Sequence, residues 1–133
     1  MAGWYLLLNL AEKDEIHLAL FDETNFKECK KKGQNRLLLQ AIEEFLTGQN
    51  VSKKMVQGIM VVVGAGSFTN TRIATTTANV FAYVQRIPVF AIGVTDVSRV
   101  QALIPELLRQ SVGQYISATY SGEPNLGKKK MAE

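Results

Sequence analysis

Five consecutive apolar residues, Ile59 to Val63, run straight into Gly64-Ala65-Gly66, and a helix-compatible segment opens behind Ser67 and Thr69. No polar residue interrupts the run. A half-solvated strand would alternate, so Gly58–Val63 suits a strand covered on both faces, which is what the inside of an α/β layer architecture provides. The helix behind it, Thr69–Arg86, is long enough for about five turns and is closed by Pro88. Strand, glycine loop and helix in that order leave two readings of Gly64–Thr69. It is either an anion site built from backbone N–H groups at a helix N-terminus, with Arg72 one turn inside, or a tight turn whose glycines allow close backbone packing.

Around this unit the chain divides without linkers, repeats or low-complexity segments. Trp4–Leu10 and Ile16–Phe21 read as strands joined by the polar turn Glu12-Lys13-Asp14-Glu15, and Asn25–Lys31 as a third strand ending at Gly33. A helix follows from Gln34 to Leu46 and stops at Gly48. Ser52 caps one short turn. Val89–Val94 forms a further strand, Thr95 or Asp96 caps the next helix, and Pro105 sits at a kink or in the first turn of a second short one. Tyr115–Tyr120 is a last strand candidate. The order is β-β-β-α-β-α-β-α, in a chain of 133 residues that suits one domain. Three antiparallel strands followed by strand–helix crossovers predict a ribonuclease-H-like domain of the actin and sugar-kinase superfamily, a mixed sheet with helices on its faces. Residues 1–120 form the domain and 121–133 a tail.

Most chemistries lack their residues. A dinucleotide fingerprint wants a third glycine where Thr69 stands, and belongs on the first strand of its sheet; a P-loop wants a Gly-Lys-Ser/Thr ending. His17 is the only histidine, so a His-x-x-x-His metal pair is impossible, and it reads as a core or surface imidazole within a strand. Ser67 and Thr69 have no local base, and Glu43-Glu44 read as a solvated helix face. Cys29 is alone and reads as a half-buried strand residue. Lys30-Lys31-Lys32 and Lys128-Lys129-Lys130 carry much of the formal charge of +3, without the aromatic residues that stack bases. They read as solvated turns and tail. No apolar run approaches the ~20 residues of a membrane span, and the opening MAGWYLLLNLAEKDE lacks the basic start of a signal peptide. A cytoplasmic protein is expected.

The helices suggest a partner. On the first, Leu37, Leu38, Leu39, Ala41, Ile42, Phe45 and Leu46 cover an arc of about 200°, roughly twice what packing on one sheet needs. On the second, Ile73, Val80 and Val84 are expected to face the sheet, leaving Ala74, Ala78 and Ala82 as a small-residue ridge that allows close helix approach, by the preceding helix of this chain, by a helix from outside, or by both. Candidate partner-binding residues are Leu38, Leu39, Ile42, Phe45, Ala74, Ala78, Ala82 and Tyr83, with Phe45 and Tyr83 as anchors.

GAGSFTNTRIATTTANVFA followed by IPVFAIGVTDV resembles the TsaB (YeaZ) family. There the pattern is Gly-x-Gly-Ser-Phe-Thr-Gly-x-Arg-Ile-Gly, an alanine-rich helix, Ile-Pro and a Gly-Val segment. Gly64, Gly66, Ser67, Phe68, Thr69, Arg72, Ile73, Ile87, Pro88, Gly93 and Val94 carry the match, and Tyr120–Gly127 is similar to the family's tail. The resemblance implies a non-catalytic partner of a TsaD-type protein in the threonylcarbamoyl modification of tRNA adenosine. It implies no cofactor of its own, since the TsaD-type protein brings metal, nucleotide and chemistry. It also implies pairing through the first two helices, a TsaE-type ATPase able to join, a homodimer through the same helices as an alternative, and tRNA reached only indirectly. Asn9, Ala65 and Asn70 depart from the family pattern, and the usual second domain is missing, so the chain looks like a reduced, one-domain version. The rival readings are a small nucleotide-binding enzyme using Gly64–Thr69 and a self-associating structural dimer.

Overall fold

The computed structural model describes residues 3–33 and 37–116. Its strands are β1 (Trp4–Asn9), β2 (Glu15–Phe21), β3 (Phe26–Lys32), β4 (Val56–Val62) and β5 (Val89–Ile92), and its helices α1 (Leu38–Gly48), α2 (Phe68–Gln85) and α3 (Ile104–Leu108). They form a mixed five-stranded sheet in the order β3-β2-β1-β4-β5. The β1–β2–β3 meander is antiparallel, while β4 runs parallel to both β1 and β5. Among the described residues no helix is long and apolar enough to cross a membrane.

The uninterrupted apolar run follows from β4 lying between two layers. Ile59 and Val61 turn toward α1 and α2 together with Leu6, Leu8, Ile16, Leu18 and Leu20. Met60 and Val62 turn the other way with Tyr5, Leu7, Ala19 and Phe21, where α3 and the preceding turns cover them. β1 is treated in the same way, and Leu6, Leu7 and Leu8 are all fully buried. β3 is the opposite case, an edge strand whose residues are exposed except for half-buried Cys29. Its lysines discourage another chain from pairing there.

Three element ends differ from the sequence expectation. Gly48 lies inside the last turn of α1, and the left-handed residue beyond the helix is Asn50, at φ 59°. Asparagine tolerates that region through local hydrogen bonding of its short side chain. Arg86 takes the same conformation after α2, at φ 58°, and the Ile87 N–H closes the end on Ala82 O at 3.0 Å. The helix expected from Thr95 or Asp96 is instead a run of 3-10 turns, Val94–Leu103, broken at Arg99. Gly93 precedes it and donates its N–H to Asp96 Oδ2 at 3.2 Å. Pro105 sits in the first turn of α3. Tyr115 and Ile116 are not in a strand, and the rest of the proposed Tyr115–Tyr120 strand, with the tail, lies outside the described residues.

The β2–β3 turn is organised by one carboxylate. Asp22 accepts the N–H groups of Thr24 at 2.9 Å and Asn25 at 2.7 Å, and the Asn25 amide at 3.1 Å. These bonds favour the ionised form and hold the carboxyl below its ordinary value of 3.8. A depressed carboxylate contributes stability that is fully present above that ordinary value and is lost as the pH falls through the lower folded one. Urea midpoints of the wild type and Asp22→Ala should therefore differ at pH 6 and converge as the pH is lowered below 3.8. A difference that stays constant over that range would show that the turn is held by something else.

Candidate functional site

Both glycines of the loop after β4 require their freedom. Gly64 has φ 79° and Gly66 φ 77°, and a Cβ on Gly66 would stand 2.7 Å from the carbonyl oxygen of Ala11. The loop therefore presses against the chain leaving β1. Ser67 ends it as the N-cap of α2, its Oγ accepting the Asn70 N–H at 3.0 Å, and the Asn70 amide reaches back to Leu10 O at 3.1 Å. Thr71 Oγ1 donates to Ala65 O at 3.4 Å. Two of the departures from the family pattern, Asn70 and Asn9, hold this corner. Asn9 Oδ1 accepts the Ala11 N–H at 3.0 Å, while its Nδ2 donates to His17 Nδ1 at 3.1 Å. His17 is buried and directs Nε2 to Glu28 Oε1 at 2.7 Å, so it bridges β1 and β3. With the Asn9 amide so placed, Nδ1 is the acceptor and Nε2 carries the proton.

The residues considered as an anion site are divided. Gly66 and Ser67 line an open depression of about 480 Å³ shared with Lys13, Asp14, Glu15 and Asn70. Two carboxylates against one ammonium do not favour an anion. Phe68, Thr69 and Arg72 line a separate groove on the outside of α2, and the Arg72 guanidinium lies 5.9 Å from the centre of the Phe68 ring. Helical rotation of ~100° per residue carries Arg72 away from the loop mouth. The close-packed turn is the reading the geometry supports. Among the described residues no three metal-ligating side chains cluster.

The helix faces are reversed relative to expectation. Ala74, Ala78 and Ala82 are buried against the sheet, and Val80, Tyr83 and Val84 point outward, being 54%, 69% and 63% exposed. The reason is proximity: α2 crosses β4 and β1 closely, and small side chains, with Thr71 and Thr75 between them, let it do so. On α1, Leu38, Ile42 and Phe45 are consumed by this chain's own core, leaving Leu39 exposed beside half-exposed Leu37. Of the eight residues considered for a partner, Leu39 and Tyr83 alone present an exposed side chain. The outer surface of α2 was legible as a helix but not in its orientation.

One contact had no signal in the sequence. Asn79 Nδ2 donates to Ile116 O at 2.9 Å and Asn79 Oδ1 accepts the Ile116 N–H at 3.0 Å, so the side-chain amide pairs with the backbone as a neighbouring strand would. Tyr115 is thereby brought to Tyr83, with ring centroids 6.4 Å apart.

No protein-family model matches the chain, and a search of curated proteins gives no match. Solved structures do match. YeaZ from Pseudomonas aeruginosa aligns with a TM-score of 0.62 and 23% identity, over 68% of this chain and 44% of its own. A structure described as an uncharacterized protein with similarity to peptidase YEAZ, from the same organism, gives the same TM-score and identity over 68% of this chain and 43% of its own. The chain thus spans less than half the length of these neighbours, and what it shares with YeaZ is the fold.

Proposed function

We propose that this chain is a non-catalytic scaffold that pairs with a TsaD-type protein in the threonylcarbamoyl modification of tRNA adenosine. The observation that carries the reading is the outward apolar surface of α1 and α2, Leu39, Val80, Tyr83 and Val84, on a fold shared with YeaZ. Exposed aliphatic and aromatic side chains on a pair of helices are what a helix-bundle interface buries. The strand order, with its antiparallel meander and parallel β4 and β5, supports placing the domain in the ribonuclease-H-like group. Chemistry on the tRNA belongs to the partner, and a TsaE-type ATPase joins the assembly.

The polar residues support a scaffold over a hydrolase. Ser67 Oγ is occupied as a helix cap, and His17 is held between Asn9 and Glu28 on the strands. Neither is arranged as a nucleophile with its base. Association measured by light scattering should give a heterodimer with a TsaD-type protein. Val80→Asp or Leu39→Asp should weaken it by at least about tenfold, with the fold unchanged by circular dichroism. Failure of the wild type to associate, or ATP turnover by the purified chain alone, would overturn the reading.

A further inference from the structure

We propose that the depression between the end of α2 and the segment after α3 extends that partner surface beyond the helices, taking an aliphatic side chain with a carboxylate close beside it. The proposal rests on the scaffold reading and extends it to a site no motif of the sequence marks. The depression has a volume of about 570 Å³ and is lined by Tyr83, Val84, Arg86, Val112, Gly113 and Tyr115. Its four large apolar or aromatic side chains are each more than half exposed, from 51% for Tyr115 to 69% for Tyr83.

Two features make this a built cup. The paired hydrogen bonds of Asn79 with Ile116 pin the segment to α2, and Ile116 packs against the core beneath, so Tyr115 is held against Tyr83 before any partner arrives. A preformed surface loses less conformational freedom on binding. The second feature is charge. Arg86 makes no ion pair or side-chain hydrogen bond among the described residues, and α2 contains no aspartate or glutamate to answer it. Arg109 at the end of α3, by contrast, is engaged by Glu106. A guanidinium with its fork of donors on the rim of an apolar cup complements a carboxylate beside an aliphatic anchor. Nucleic acid fits less well, because its phosphates want several cations and the cup offers one.

The test is calorimetric binding of the full chain to a TsaD-type protein at low and high salt. Arg86→Gln keeps a side chain of similar length, and at φ 58° glutamine meets the same backbone demand as arginine. It should weaken binding about five- to tenfold and flatten the salt dependence. Val112→Asp, in an exposed turn, should weaken it by about tenfold. If both variants bind like the wild type with the same salt dependence, the depression is not a contact and the scaffold reading stands. A wild type that does not bind removes both. If the two variants instead dissolve a homodimer while leaving partner affinity intact, the occupant is a second copy and the proposal is wrong.

Discussion

Gly66→Val will lower the stability of the domain by roughly 2–5 kcal/mol, the sum of a strained left-handed backbone and an overpacked contact. The first contribution follows from φ 77°, where a β-branched residue is out of place. The second follows from the neighbour: the atom 2.7 Å from an added Cβ is the backbone oxygen of Ala11, which cannot rotate away as a side chain would. Moving it would disturb the Ala11 N–H bond to Asn9 and, through Asn9, the bond to His17. Gly48 provides the contrast, since nothing lies within 4 Å of its Cβ position. Gly48→Val should stay within about 1 kcal/mol of the wild type. Thermal melts of the two variants decide the matter, and equal midpoints would remove the argument for the loop.

The second large effect is at Ala78. Lysine there will abolish cooperative unfolding, because it places an ammonium at a position with no solvent exposure, between a helix and a sheet that approach through alanine. An unpaired buried charge and the displaced packing together cost more than about 4 kcal/mol, against a typical domain stability of about 5–15 kcal/mol. Thr76→Lys, on the exposed side of the same helix, should keep a melting transition close to that of the wild type. A folded Ala78→Lys protein would mean that α2 sits farther from the sheet than its side chains indicate.

The reversal of α2 explains what was legible in the chain and what was not. The near-continuous apolar runs Ile16–Phe21 and Ile59–Val63 report strands buried on both faces, and both were readable for that reason. In α2 the same reasoning assigns the bulkiest stripe to the core. Here the closeness of helix and sheet decided instead, selecting alanine inside and sending Val80 and Val84 outward. Distance along the helix was visible; distance to the sheet was not. The glycine loop was readable as either a tight turn or a backbone anion site, and the choice between them waited on where Lys13, Asp14, Glu15 and Arg72 lie in the fold. The corner that closes on it was not readable, because Asn9, His17 and Glu28 meet, and Asn70 reaches Leu10, only once strand register and the β1–β4 pairing are set. The Asn79 contact with Ile116 depends on where the chain returns after α3, which no local pattern records.

The position of β1 has a consequence for the order in which the molecule can assemble. Its pairing with β2 is local, Leu8 opposite Leu18, and needs only a short turn. Its other edge pairs with β4, Leu7 beside Met60, across the third strand and all of α1. Closing so long a loop costs entropy before the contact returns anything, so this ladder is the slow one. Until it closes, Leu6, Leu7 and Leu8 sit in a strand with an open hydrogen-bonding edge, at the centre of the future sheet, without the lysines that guard β3. A chain interrupted before Val62, by truncation or during synthesis, carries its most aggregation-prone edge in its first ten residues.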